Sequence, residues 1–272
     1  MSPDKAVSGS QSRLVRGVPI SYSTLGSGPL VINAHGLSAS RANNAHMGLP
    51  DYSEIAELGR QLVSYDARGH GLSGGTPRAE DYTWSALADD LLALADLLSP
   101  RAPIAAIGCS MGTGTLLHAA TRKPERFTSL VLTAPPTAWQ TRAAQADVYR
   151  AMAEVFETSR PEAVRELFAQ APVAVPPVFA DIPGYPAAPD IAFELLPEVF
   201  RGAGRSDLPS PDLISTIELP TLILAWAGDP GHPVSTAERL AEILPNAQMH
   251  VTGTHEDLLT WGARAASFIA AH

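Results

Sequence analysis

Cysteine is all but missing. The one copy in 272 residues, Cys109, excludes a disulfide within the chain and fits a reducing setting, so a cytoplasmic location is expected. Positive charge is also short: 19 Lys and Arg against 28 Asp and Glu give a formal net charge of -9, with no long basic run. A nucleic-acid partner is therefore not expected. No stretch approaches the roughly 20 apolar residues that span a bilayer. Residues 1–12 are polar with no apolar centre, so neither a membrane partner nor a secretory signal is expected. No internal repeat is visible. No closely spaced set of His, Cys, Asp and Glu suggests a metal site. The glycine-rich loop 66–75 lacks the Lys-Ser/Thr that follows the glycines of a phosphate cradle. Neither a metal nor a cofactor is expected.

What is there is a rhythm. At 45% hydrophobic the chain can bury a sizeable core. Residues 13–25 read as one or two edge strands, 26–29 as a turn, and 30–34 as a short buried strand ending at His35-Gly36. A helix over 52–60 and a strand over 61–65 follow. Leu87, Leu91, Leu94, Ala95 and Leu98 recur at a helical period within 84–98. Strands at 104–109 and 129–133 flank a helix over 113–122. This alternation predicts an α/β fold: a mostly parallel sheet with helices on both faces. From about 135 to 219 the rhythm breaks into helices at 141–158, 161–170 and 190–201, with a proline-rich irregular stretch over 171–189. It resumes with strands at 221–227 and 247–251 and helices at 235–244 and 258–271. The expected division is a core of residues 1–136 and 218–272, with a helical cap inserted at 137–217 over the carboxyl ends of the strands, where ligands bind.

The most informative stretch is Gly108-Cys109-Ser110-Met111-Gly112, lying between a strand and a helix. In that context G-x-S-x-G is a nucleophile elbow, with the serine hydroxyl raised over the sheet and a helix N-terminus beneath it. A serine needs a base, and the base needs an orienting acid. Asp229 follows the 221–227 strand and His255 follows the 247–251 strand, so the expected triad is Ser110, His255 and Asp229. Rivals exist. His250 lies within a strand. His232, in Gly231-His232-Pro233 beside the acid, reads as a loop histidine able to line the pocket. Asp257 reads as a helix cap, and Asp66 as part of a turn braced by Arg68. Cys109 reads as a strand cysteine, because moving the elbow by one residue puts Ile107 and Met111 where small residues are needed. The backbone N–H groups of Met111 and Leu37 are the expected oxyanion donors.

Four separated motifs then carry a resemblance: His35-Gly36, the Asp66-x-Arg68-Gly69-x-Gly71-x-Ser73 loop, the Ser110 elbow, and Gly228-Asp229 followed by His255. The chain resembles α/β-hydrolase-fold enzymes over nearly its whole length. Within them it is similar to capped serine esterases and enzymes of the 3-oxoadipate enol-lactonase type. It is also similar to cofactor-free haloperoxidases and, more distantly, to C–C bond hydrolases of aromatic catabolism. The resemblance implies hydrolysis of a small-molecule carboxylic ester or lactone through an acyl-serine, by a monomer or homodimer. The alternatives are C–C bond hydrolysis, perhydrolysis or halogenation, and ligand sensing on the same fold. His35, Arg41, Trp139, Tyr149 and His232 are candidate pocket residues. Arg41, Arg142 and Arg150 are candidates to meet a substrate carboxylate, and further cap aromatics such as Phe156, Phe168 and Phe179 are candidate pocket walls. The chain departs from the family pattern at Gly112-Thr113-Gly114, at Thr254-His255-Glu256, and in the polar run 37–46.

Overall fold

A computed structural model describes residues 9–48, 50–170, 175–180, 182, 185 and 187–272. The expected edge strands form a hairpin of β1 (Gln11–Val15) and β2 (Val18–Gly26). Its two-residue turn, Arg16-Gly17, has both φ angles positive, at 42° and 84°, the turn geometry whose twist matches that of paired strands. The remaining strands are β3 (Leu30–Ala34), β4 (Gln61–Tyr65), β5 (Ile104–Cys109), β6 (Phe127–Thr133), β7 (Thr221–Trp226) and β8 (Ala247–Thr252). They form one eight-stranded sheet in the order β1-β2-β4-β3-β5-β6-β7-β8. Only the β1–β2 and β2–β4 pairings are antiparallel. The α/β fold read from the sequence is the fold observed.

Helices cover both faces, which is why β5, β6 and β7 are nearly continuous apolar runs. In chain order the first helices are α1 (Arg41–Met47), α2 (Glu54–Glu57), α3 (Trp84–Leu98) and α4 (Met111–Arg122). Between β6 and β7 lie α5 (Arg142–Thr158), α6 (Pro161–Gln170), α7 (Leu196–Gly204) and α8 (Pro211–Ile214). The chain ends with α9 (Val234–Ile243), α10 (His255–Leu258) and α11 (Trp261–Ala271). Leu87 and Leu91 of α3, Leu116 of α4 and Leu240 of α9 share one core with Ile32 and Ile223. Ile55 of α2 and Trp261 and Ile269 of α11 pack on the opposite face against Ile107 and Leu224. Phe156, Val164, Val199 and Phe200 make a third cluster among α5, α6 and α7.

Several sequence expectations shift. The helix expected over 52–60 shrinks to α2, and α1 forms where only a polar run was read, capped by Ser40, whose side chain accepts from the N–H of Asn43. The helix expected over 190–201 is displaced to α7, preceded by a 3-10 turn at Phe193–Leu195. The irregular stretch expected over 171–189 lies partly outside the described residues, and its described part includes a 3-10 turn at Pro177–Phe179. Asp66 is not braced by Arg68. It pairs with Arg41 at 3.1 Å and accepts the N–H groups of Arg41 and Leu72, while Arg68 donates twice to Asp90, both at 2.7 Å. Among the described residues no helix is long and apolar enough to cross a membrane.

Candidate active site

The elbow is tight at every atom. Ser110 has φ 53° and ψ -108°, a conformation that L-residues avoid unless the surroundings impose it. Here its N–H is held by Thr133 O at 3.0 Å, and Thr113 Oγ1 donates to Gly108 O at 2.8 Å. A Cβ on Gly108 would lie 2.4 Å from Gly112 O, and one on Gly112 would lie 2.2 Å from Ala34 O. These two glycines let strand and helix cross. The departure at Gly114 has an equally local cause: a Cβ there would meet Trp84 Cε3 at 2.3 Å, so the extra glycine lets α4 lie directly on α3.

Asp229 sits in the loop after β7, as expected. It accepts from the indole N–H of Trp226 at 2.9 Å and, through Oδ1, from the N–H of Gly231 at 2.8 Å. This second bond folds the chain back in an Asx turn. The fold-back delivers His232. Its Nδ1–H donates to Asp229 Oδ2 at 2.8 Å, and its Nε2 faces Ser110 Oγ at 2.8 Å. With Nδ1 protonated, Nε2 is free to accept the serine proton. Burial raises the pKa of Asp229. The hydrogen bond and charge of His232, with the Trp226 and Gly231 donors, outweigh that and hold its carboxyl at about 2.

The expectation of His255 at this place is corrected. His255 is the first residue of α10, whose N-cap Thr254 turns the chain so that the imidazole Nδ1 reaches Val178 O at 3.1 Å. The residue that meets Ser110 is His232, three positions after Asp229. The available signal was Asp229-Pro230-Gly231-His232-Pro233, where a glycine inside a short loop permits the fold-back. The rivals sort themselves out. His250 is bound through Nε2 to both oxygens of Asp257, at 2.9 and 2.8 Å, and Asp257 lies inside α10 while Thr254 and Thr260 are the N-caps of the last two helices. Cys109 is half-buried at the cavity wall, and burial pushes its thiol up to about 11.

A cavity of about 290 Å³ opens beside Ser110 and His232. Leu37 lines it, and Met111 opens α4 immediately after Ser110. His35 lines it too, but its ring is spent: Nδ1–H donates to Gly36 O at 2.7 Å, and Nε2 accepts the N–H of Ala67 at 2.9 Å. Other expected pocket residues lie elsewhere. Arg41 is buried on Asp66, Ser10 and Ser21. Trp139 donates its indole N–H to Pro209 O at 3.0 Å and is outside the cavity wall. Tyr149 packs edge-on to Phe200 within the helical segment, whose own core also takes Phe156 and Phe168. Arg142 is sandwiched against Trp84 and donates to Ser206 O and Ala203 O, and Arg150 pairs with Asp147. Of the expected aromatics Phe179 does line the cavity. It is joined there by Tyr52, Tyr185, Trp226 and Trp261, which the sequence reading missed because they come from four separate parts of the chain.

The chain belongs to the alpha/beta hydrolase fold family, whose model matches residues 29–175. It is 27% identical over 248 residues to a pimeloyl-acyl-carrier-protein methyl ester esterase of Chromobacterium violaceum, covering 84% of this chain and 86% of that protein. It is 30% identical over 128 residues to an sn-1-specific diacylglycerol lipase of Mus musculus, which is 46% of this chain but 39% of the lipase. The chain thus spans about two fifths of the length of that relative. A thermophilic esterase from Thermogutta terrifontis superposes with a TM-score of 0.72 at 21% identity, over 97% of both chains.

Proposed function

We propose that this protein is a serine hydrolase that cleaves a carboxylic ester or lactone through an acyl-serine intermediate, with Ser110 as nucleophile, His232 as base and Asp229 as its orienting acid. One observation carries the reading: the unbroken relay Asp229–His232–Ser110, with both links at 2.8 Å. Ser110 Oγ attacks the carbonyl carbon while its proton passes to His232 Nε2. The carbonyl π electrons become an oxyanion facing the N–H groups of Met111 and Leu37. Collapse of the intermediate breaks the bond to the leaving oxygen, which takes the proton from His232. Water repeats the sequence and releases the acid. Asp229 stays ionised throughout and stabilises the imidazolium. The helical segment between β6 and β7 is read as a cap, which fits the family kinship and the esterases among the relatives.

The test separates the two histidines. A fluorophosphonate should label the protein at Ser110 and leave Ser110→Ala unlabelled. His232→Ala should lower kcat on a p-nitrophenyl ester by about 10⁴-fold or more, whereas His255→Ala should stay within about threefold of the parent, the range expected away from a catalytic unit. The reverse ranking would return the base to His255.

A further inference from the structure

The backbone that runs against Ser110 is a strained turn. A Cβ on Gly36 would lie 3.4 Å from Ser110 Cβ, which places the loop after β3 beside the nucleophile. Residues 36–39 line the cavity and close on themselves, with the N–H of Ala39 donating to Gly36 O at 3.2 Å. The third residue of this turn, Ser38, has φ 66°. That place in a type II turn suits glycine or asparagine, and a serine holds it only where the surroundings impose it. Leu37 sits inside the turn, between Gly36 and Ser38.

Two anchors hold the turn, one on each side of Leu37. Before it, His35 donates to Gly36 O and accepts the N–H of Ala67. After it stands Asp190, from the segment between β6 and β7. The Asp190 N–H donates to Ser38 O at 2.9 Å, and the Asp190 carbonyl accepts the N–H of Gly71 at 2.8 Å. Its carboxylate Oδ2 accepts the hydroxyl of Ser40 at 2.5 Å. Ser40 is 0% exposed and is the N-cap of α1. Its other acceptor, Asn43 Oδ1, is distant at 3.4 Å. The carboxylate therefore fixes residue 190 against the loop, and its loss leaves a buried hydroxyl short of an acceptor.

Resting on the serine-hydrolase reading above, we infer that Asp190 is a positioning residue for the oxyanion donor: through Ser40 and Ser38 it holds the turn in the shape that aims the N–H of Leu37 at the developing charge. Such a donor stabilises the transition state only while it is held in place in advance. Asp190 acts from behind the loop, and the turn it braces is what faces the substrate. The segment between β6 and β7 is thereby joined to the oxyanion hole through one side chain.

Three variants test this: Asp190→Ala, Asp190→Asn, and Asp190→Ala in a Ser38→Gly background. Each is read as kcat and KM on p-nitrophenyl butanoate, per site titrated with a fluorophosphonate. Asp190→Ala should lower kcat about tenfold or more, the value of one hydrogen bond to a charged group, with KM within about twofold. Affinity for a trifluoromethyl ketone, which adds to a serine as an oxyanion, should fall by the same factor. Asp190→Asn still offers Ser40 an oxygen and should restore kcat to within about threefold of the parent. Glycine takes a positive φ unaided, so in the Ser38→Gly background the loss from Asp190→Ala should shrink to about threefold or less. A residue that merely supported the fold would reduce the number of titrated sites and leave kcat per site and ketone affinity fixed. That result overturns the inference, as does an equal loss in both backgrounds. Failure of the underlying hydrolase reading is seen separately, as absence of fluorophosphonate labelling at Ser110 in the wild type, and it takes this inference with it.

Discussion

Acid should weaken this protein through two histidines that lie next to the site and take no part in the relay. His35 and His70 are 3% and 1% exposed, with ring centroids 5.2 Å apart. Burial lowers the pKa of both, and at His70 desolvation and then the charge of His35 outweigh the Arg68 carbonyl and the Asp66 carboxylate. His70 falls from 6.5 to about 3. The folded protein therefore keeps it neutral where the unfolded chain takes up a proton. Its contribution is fully present above pH 6.5 and is lost as pH falls through the window down to about 3. At 1.36 kcal/mol per pH unit, the loss reaches about 2 kcal/mol at pH 5 and about 3 kcal/mol at pH 4. His35 adds in the same direction. Urea unfolding of the wild type at pH 8 and pH 5 reads the loss. His70→Asn is the control, since its amide can still donate to Arg68 O, as Nδ1 does at 2.9 Å, but cannot titrate. The variant should be less stable at pH 8 for want of volume, yet should lose about 2 kcal/mol less between the two pH values. Equal losses in both proteins would refute the assignment of the acid sensitivity to His70.

Other outcomes follow from single contacts. Asp90→Ala strands the guanidinium of Arg68, which is 3% exposed, and should cost about 3–5 kcal/mol of unfolding free energy in urea. Gly112→Ala forces a methyl group to within 2.2 Å of Ala34 O. It should abolish fluorophosphonate labelling and cost at least about 1–3 kcal/mol. Asp229→Asn should leave the fold in place while lowering kcat by about 10⁴-fold, since an amide cannot enforce the tautomer in which Nδ1 of His232 carries the proton. Retention of most activity would remove Asp229 from the relay.

The sheet was legible because its signals are local. Short apolar runs such as 104–107 and 221–226 must be buried on both faces, and a run of that length between helices has few other uses. The elbow was legible for the same reason: Gly108, Ser110 and Gly112 are neighbours, and the crowding they relieve is between adjacent residues. The histidine that meets Ser110 was not legible by the same logic. Position after a strand favoured His255, whereas the partner of Ser110 was decided by one hydrogen bond, from the N–H of Gly231 to Asp229 Oδ1. That bond turns the chain back within three residues. The pocket was the least legible part. Arginines at 41, 142 and 150 look available on paper, but the first two find a carboxylate or carbonyls only when distant segments meet, and Arg150 pairs with Asp147 one turn away in its own helix. The aromatic wall is likewise assembled from residues 52, 179, 185, 226 and 261, and no periodicity links them.

Carrying Asp229 and His232 on one four-residue bend joins two mechanical parts into one. Where such groups sit on separate strands, sheet breathing can pull imidazole and carboxylate apart independently of the serine. Here the pair travels as a single piece, and a single gap, from residue 232 to residue 110, is left for thermal motion to open. The last strand and the final helices are thereby released from holding reactive groups. Sequence drift in the last strand would register in unfolding temperature before it registered in turnover.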